Sequence, residues 1–194
     1  MQAAWITSAL EQVADPARRA ILSQICDDFA ALNPAIDAMP KLAIHIDAND
    51  YSILVAVTLN APRHVSGLID LGDMCAAPRI CDLAIAGAYI VLDHRKPEAA
   101  LAALVAGYHR VNPLSDHEID MIWPLLRMRL AVSVVNSTQM AAQNPDDPYI
   151  TISQAPAWRF LEGVTLDAGL VTARLRAACG RPVRDGADRV MTWL

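Results

Sequence analysis

Three short apolar runs, set between helical patterns, constrain the fold of this chain more than any other feature. They are Leu42 to His45, Ile53 to Thr58 and Val65 to Ile69. Each run is too short for a helix, and a turn-forming segment separates the last two, so they predict a small strand followed by a β-hairpin. Helical patterns before and after them leave little chain for a larger sheet. The predicted fold class is therefore α+β and predominantly helical, with one small β element.

Start and stop signals divide the rest of the chain into helices. Asp15-Pro16, Pro97 and the capping-box pair Ser115 and Glu118 mark helix starts, because they satisfy or avoid the free N–H groups of a first turn. The other predicted boundaries are a turn over 33–40, a helix after 78, a proline-induced kink at 124, and helices over 156–161 and 165–179. Residues 1–164 are predicted to form one domain, and 165–194 a terminal helix and linker tail.

Composition excludes several classes of function. A chain of 194 residues that is 54% hydrophobic can bury a sizeable core. Its net charge of −5, without any basic cluster, argues against binding the phosphate backbone of nucleic acid. No signal-peptide pattern is present, and no apolar run approaches the roughly 18 residues of a membrane span. The sequence therefore predicts a cytoplasmic protein that binds neither nucleic acid nor membrane, and cysteine spacing predicts free thiols.

Acidic residues are concentrated in the loops at the ends of the predicted strands. Asp47 and Asp50 precede the second strand, and Asp70 and Asp73 follow the third. If these strands pair, both loops emerge at one end of the hairpin, and Asp47 and Asp70 share a pocket. Carboxylates in one cleft repel unless a cation joins them, which predicts bound Mg²⁺ and suits phosphoryl transfer. The plain alternative is that these aspartates only cap helices or close turns.

Longer motifs around these residues resemble the aminoglycoside phosphotransferase and hydroxylysine kinase family, whose fold is protein kinase-like. His45-Ile46-Asp47 with Ser52 resembles the HxDxxxxN catalytic loop. Residues 69–74, Ile-Asp-Leu-Gly-Asp-Met, resemble the metal-binding IDFGD segment, and residues 81–84, Cys-Asp-Leu-Ala, resemble the DLA helix start. The likeness covers roughly residues 15–162 and implies the C-terminal lobe of such a kinase, with its β-hairpin at the active site.

The resemblance implies a role for each matching residue. Asp47 would be the catalytic base and Asp70 the principal Mg²⁺ ligand, with Ser52 in the slot of a second metal ligand. Substrate or supporting roles are implied for Asp73, Asp50 and Asn49, and structural roles near the site for His45 and Asp82. ATP or GTP would donate the phosphate, and an acidic pocket favours a small amine-bearing alcohol, such as hydroxylysine, as acceptor.

Two departures from the family pattern limit the implied activity. Ser52 stands where the family has asparagine, which reaches further. Lys41 and Lys96 are the only lysines, neither lies on an early strand, and there is no GxGxxG. The nucleotide-binding N-terminal lobe is therefore expected to be missing, because the chain is a fragment, because the gene is truncated, or because another chain or a neighbouring domain supplies it. The chain alone is then expected to be inactive.

Two other functions remain open from the sequence. One is a catalytically degenerate, kinase-like binding or interaction module of a multidomain protein, which the departures at Ser52 and in the nucleotide lobe would permit. The other is metal-dependent phosphoester hydrolysis, which the histidine spacing disfavours because it lacks HxH and HxxxH patterns. Arg127 and Arg129 are expected to be surface or bracing charges.

Overall fold

The protein is described by a computed structural model over residues 4–57, 63–163 and 167–181. Its helices are α1 Ala4–Ala9, α2 Pro16–Asp37, α3 Arg79–Ile90, α4 Pro97–Val111, α5 Asp116–Gln143, α6 Gln154–Gly163 and α7 Ala168–Ala178. Its strands are β1 Lys41–Ile44, β2 Ile53–Ala56, β3 His64–Leu68 and β4 Cys75–Pro78. The predominantly helical α+β class is confirmed. Within the described residues, no helix is long and apolar enough to span a membrane.

Helix α5 is the centre of the core. It begins with the predicted capping box, in which the Ser115 hydroxyl accepts from the Glu118 amide and the Glu118 carboxylate accepts from the Ser115 amide. Ile122 and Leu126 on this helix are fully buried, and burying such a side chain contributes roughly 1.5–3 kcal/mol. α5 packs against α2, α3, α6 and α7, and it continues through Pro124 as one helix.

The close packing of α3 depends on a glycine. A Cβ built at Gly87 would lie 2.9 Å from Leu101 of α4 and 3.2 Å from Leu126 of α5. Gly87 therefore allows α3 to approach both helices at the point where all three share the core. This matters for the site, because α3 and α5 each carry a side chain that reaches Asp47.

The predicted turn over 33–40 is wrong in its first half. α2 continues through Pro34 to Asp37, and only residues 38–40 lie outside an element. Ile36 is buried in the core, so packing of this last turn offsets the one intrahelical hydrogen bond that Pro34 cannot make. The start of α2 is as predicted, with the Asp15 carboxylate accepting from the Ala17 amide at 2.8 Å.

Two small antiparallel sheets lie between α2 and α3. β2 pairs with β3 in the predicted hairpin, with Ile53 opposite Leu68 at its open end and a register shift between Leu54 and Val55. β1 pairs with β4, a strand that the sequence did not predict, and Ile44 lies opposite Cys75. The loop that carries Asp47 begins where β1 ends and finishes where β2 begins, so it connects the two sheets.

The end of the described chain joins the same core. Val171 and Leu175 of α7 are buried in it. The helix stops as predicted at Gly180, which has a φ of 70°, and the Arg181 amide donates to the Arg176 carbonyl oxygen at 2.8 Å. The predicted domain boundary at 164–165 and the tail from 182 lie outside the described residues, so this division stays a prediction.

Candidate active site

The loop from His45 to Ser52 is held in place by the first turn of α3. One oxygen of the Asp82 carboxylate accepts from the His45 amide at 3.1 Å, and the other accepts from the Ile46 amide at 2.8 Å. Charged acceptors make stronger hydrogen bonds than neutral ones. Asp82 therefore fixes the backbone of the two residues that precede Asp47.

His45 joins this loop to the segment that carries Asp70. Its ring is buried, its Nε2 lies 2.8 Å from the Ile69 carbonyl oxygen, and its Nδ1 accepts from the Asp47 amide at 3.3 Å. A nitrogen facing a carbonyl must donate and one facing an amide must accept, so the geometry requires the tautomer with hydrogen on Nε2. The Ile69 amide also donates to the Ser52 carbonyl oxygen at 2.9 Å. The predicted meeting of the two loops at one end of the hairpin is confirmed.

Both loops contain a residue in the left-handed region of backbone conformation. Ile46 has a φ of 67° and Asp70 a φ of 65°. Side chains other than glycine rarely adopt this conformation, which costs of order 1–3 kcal/mol and is concentrated at functional sites. Ile46 directly precedes Asp47, and Asp70 is itself one of the two strained residues. The strain therefore lies at the two carboxylates for which the sequence predicts catalytic and metal-binding roles.

Ser52 and Asn49 close the loop from inside. The Ser52 hydroxyl is buried and donates to the Asp47 carbonyl oxygen at 3.1 Å. The Asn49 Oδ1 accepts from the Tyr51 amide at 2.8 Å, and its Nδ2 donates to Asp47 Oδ2 at 3.0 Å. The serine oxygen is therefore engaged with the loop backbone, and the ligand role predicted for it stays a prediction.

Two side chains from the helical core reach the Asp47 carboxylate. The Tyr89 hydroxyl, from α3, donates to Asp47 Oδ1 at 2.8 Å. Arg129 Nη2, from α5, donates to the same oxygen at 3.0 Å and to the Tyr89 hydroxyl at 2.6 Å. Burial, the largest influence, raises the pKa of the Tyr89 phenol; the Arg129 charge opposes that rise and the Asp47 hydrogen bond adds to it.

The other predicted acidic residues are exposed. Asp50, Asp70 and Asp73 lie on the surface, and no side-chain hydrogen bond is found for Asp70 among the described residues. The described residues also contain no group of three or more potential ligands that could hold a metal. Mg²⁺ commonly binds through one or two carboxylates together with waters and substrate phosphates, and the free Asp70 carboxylate fits that kind of site.

Sequence reasoning missed Tyr89 and assigned Arg129 no contact. Arg129 is indeed a bracing charge, but what it braces is Asp47, whereas Arg127 pairs with Asp28 at 3.5 Å. A signal for Tyr89 was present, since it follows Asp82 by seven residues on α3. Two helical turns place such residues on one face, so a side chain above the Asp82 brace was a candidate for the site.

Comparison with known proteins identifies a family that matches this chain. The profile of the phosphotransferase enzyme family matches residues 2–119. The chain is 29% identical to a hydroxylysine kinase of Xenopus laevis over 169 residues, covering 80% of this chain and 45% of that protein. Hydroxylysine kinases of Danio rerio and Mus musculus are 29% and 28% identical, covering 65% and 61% of this chain and 38% and 33% of those proteins.

The extent of these matches sets what they establish. The chain spans less than half the length of the curated relatives named above. No solved structure matches significantly. The family profile, however, covers more than half of this chain, including the His45–Ser52 loop, Asp70 and Asp82. The chain therefore belongs to the phosphotransferase enzyme family.

Proposed function

We propose that this chain is the C-terminal, catalytic lobe of a small-molecule kinase. The reaction would move the γ-phosphoryl group of ATP or GTP to the hydroxyl of an amine-bearing alcohol or a hydroxylated amino acid such as hydroxylysine. The observation that carries the proposal is the Asp47 carboxylate, which is held by side chains from its own loop and from two helices. That loop is hydrogen-bonded to Ile69, the residue before the exposed Asp70. Phosphoryl transfer is catalysed mainly by positioning and charge stabilisation, which suits a fixed carboxylate of this kind.

Each carboxylate has a distinct part in the proposed reaction. Asp47 orients the acceptor hydroxyl and takes its proton as the hydroxyl oxygen forms a bond to the γ-phosphorus. The bond between the γ-phosphorus and the bridging oxygen breaks, and the nucleoside diphosphate leaves with the electron pair of that bond. Asp70 would hold Mg²⁺, which when bound offsets the negative charge of the phosphates. Asp73 and Asp50, which are both exposed, would attract the amine of the acceptor.

A further lobe is the proposed partner of the β2–β3 hairpin. Ile53, Leu54 and Val55 are 37%, 45% and 48% exposed, and Val65 and Leu68 on the paired strand are 67% and 45% exposed. Successive strand residues point to opposite faces, so neither face is covered by the described residues. An isolated two-stranded hairpin is only marginally stable in water. These exposed faces support docking of the nucleotide-binding lobe that the sequence leads us to expect.

The test of the proposed function is loss of activity in Asp47→Asn. With ATP or GTP, Mg²⁺ and a panel of hydroxylated amines, phosphate transfer by the protein joined to its nucleotide lobe should fall by about 10²–10⁴-fold. Asp28→Asn is the matched control, because Asp28 also pairs with an arginine of α5 but lies away from the loop. Unimpaired transfer in Asp47→Asn would refute the proposed role of this residue.

A degenerate binding module is the second candidate, and one observation favours it. Position 52 is where the family places a metal-binding asparagine. In this chain the Ser52 hydroxyl is buried and donates a hydrogen bond to the Asp47 carbonyl oxygen. Calorimetry with nucleotide and Mg²⁺ on the two-lobed protein separates the candidates. Metal-dependent binding accompanied by turnover supports the kinase, and binding without turnover of any acceptor supports the module.

A further inference from the structure

The hydrogen bonds around Asp47 are unequally divided between its two oxygens. Oδ1 accepts from the Tyr89 hydroxyl and from Arg129 Nη2, whereas Oδ2 accepts only from Asn49 Nδ2 among the described residues. An ionised carboxylate offers about four lone-pair sites, two on each oxygen. Oδ1 is therefore fully occupied by protein donors, and one acceptor site remains on Oδ2.

The groups that occupy Oδ1 form a closed triangle of contacts. Arg129 Nη2 donates both to Asp47 and to the Tyr89 hydroxyl, and its Cζ lies 5.4 Å from the centre of the Tyr89 ring. The two side chains come from α3 and α5, which pack closely at Gly87. A donor on a packed helix moves less than a donor on a loop. The hydrogen bonds from Tyr89 and Arg129 therefore restrain the position of the Asp47 carboxylate relative to the helical core.

We propose that Tyr89 and Arg129 are positioning residues, which occupy Oδ1 of Asp47 and leave Oδ2 as the oxygen that accepts the proton of the acceptor hydroxyl. This inference rests on the kinase function proposed above and specifies which oxygen acts. Neither residue contacts the acceptor. Asn49 donates to Oδ2 from the loop side and occupies one of its two acceptor sites. The remaining site on Oδ2 can therefore accept a hydrogen bond from one direction only.

The triangle can be tested in this chain without turnover, through the ultraviolet absorbance of the Tyr89 phenolate. The difference between the titrations of the unmodified protein and Tyr89→Phe isolates this phenol from the other tyrosines. Because the Arg129 charge lowers the pKa of Tyr89 and the Asp47 hydrogen bond raises it, Arg129→Met should move the titration to higher pH and Asp47→Asn to lower pH. Arg127→Met, on the same helix and equally half-buried, should leave it in place.

The kinetic test separates positioning from substrate contact. Displacing a catalytic group by about 1 Å costs roughly 10²-fold, so Arg129→Met should lower kcat by about 10- to 100-fold and leave the acceptor KM within about threefold. Arg129→Lys should recover part of kcat, because lysine supplies the charge but not the planar fork. Tyr89→Phe should give a smaller loss, of about three- to tenfold, and Arg127→Met none.

Each result supports or overturns the inference. A fall in kcat at nearly constant KM, with the opposite shifts of the Tyr89 titration, supports it. A rise in acceptor KM without loss of kcat, or equal kcat in Arg129→Met and Arg127→Met, overturns it. If Arg129→Met does not fold, Arg129→Lys and Tyr89→Phe carry the test, and unchanged kcat in both overturns it. Full activity in Asp47→Asn would refute the proposed kinase function and not the triangle. The two failures can be told apart, because the Tyr89 titration reports whether the triangle exists without any turnover.

Discussion

The ion pair between Arg79 and Glu118 should make the protein sensitive to acid. Arg79, the first residue of α3, donates to Glu118 Oε1 at 2.7 Å and to Oε2 at 2.9 Å, and Glu118 also belongs to the capping box of α5. Hydrogen bonding to Arg79, the largest influence, lowers the pKa of Glu118 from 4.5 to about 2. The informative change is Glu118→Gln, because the one amide oxygen of glutamine can keep the capping box, while the charge and one of the two acceptors of Arg79 are lost.

The expected magnitude follows from the pKa shift. One pKa unit corresponds to about 1.36 kcal/mol, so the full shift of Glu118 corresponds to about 3 kcal/mol of unfolding free energy. The side chains are 15% and 23% exposed, so solvent screens part of this value, and we expect a loss of about 1–3 kcal/mol at pH 7. The pKa is lower in the folded state, so the stabilisation is complete above the unfolded value of 4.5 and disappears as pH falls towards about 2.

Urea denaturation at a series of pH values measures this effect without the screening that guanidinium salt would add. The difference in unfolding free energy between the unmodified protein and Glu118→Gln should be constant near neutrality and shrink below about pH 4.5. Glu162→Gln is the matched control, because Glu162 also pairs with an arginine, Arg18, but both side chains are more than a third exposed. Its loss should stay below about 1 kcal/mol. Equal losses in both variants, or a difference that does not change with pH, would refute the reasoning.

Two further predictions concern the loop itself. Asp82→Asn should destabilise the protein by about 2 kcal/mol and lower the proposed kinase activity, because an amide cannot accept from both the His45 and Ile46 N–H groups. Urea denaturation and initial rates measure these effects against the exposed control Asp116→Asn, and equal effects in the two variants would contradict the prediction. Ser52→Ala should cost about 1 kcal/mol of stability, through the lost hydrogen bond to the Asp47 carbonyl oxygen. It should leave the proposed Mg²⁺-dependent nucleotide binding unchanged in calorimetry, and a tenfold loss of that binding would show a metal ligand instead.

Local signals in the sequence located most helix starts and the hairpin. The capping residues Asp15 and Ser115 act within one turn, so the sequence alone specifies their contacts. The missed parts depend on distant partners. β4 reads as an unpatterned run between Met74 and Arg79, and it becomes a strand only because β1 lies beside it. Similarly, the end of α2 is decided by burial of Ile36 in a core that a sequence window does not contain.

The candidate site divides in the same way. Asp47, Asn49 and Ser52 lie in one loop, so a short motif could identify them together. Tyr89 and Arg129 are 42 and 82 residues from Asp47. The spacing of Tyr89 from Asp82 on α3 gives a weak sign of its position, and the residues around Arg129 give no sign of its contact with Asp47. Their function depends on the packing of α3 against α5. A motif can therefore name the carboxylate, but only the fold indicates which of its oxygens is free.

Backbone strain explains why this site needs such distant support. Ile46 and Asp70 both adopt the left-handed conformation, at a cost of order 1–3 kcal/mol each. Relaxation of Ile46 would turn the neighbouring Asp47 carboxylate away, and relaxation of Asp70 would turn its own carboxylate away. Asp82 opposes relaxation at Ile46, and His45 ties that loop to Ile69, next to Asp70. The two strained loops are thus stabilised through Asp82 and His45, to which we assign no part in the proposed chemistry. Loss of either brace should consequently impair the site even though Asp47 and Asp70 themselves are unchanged.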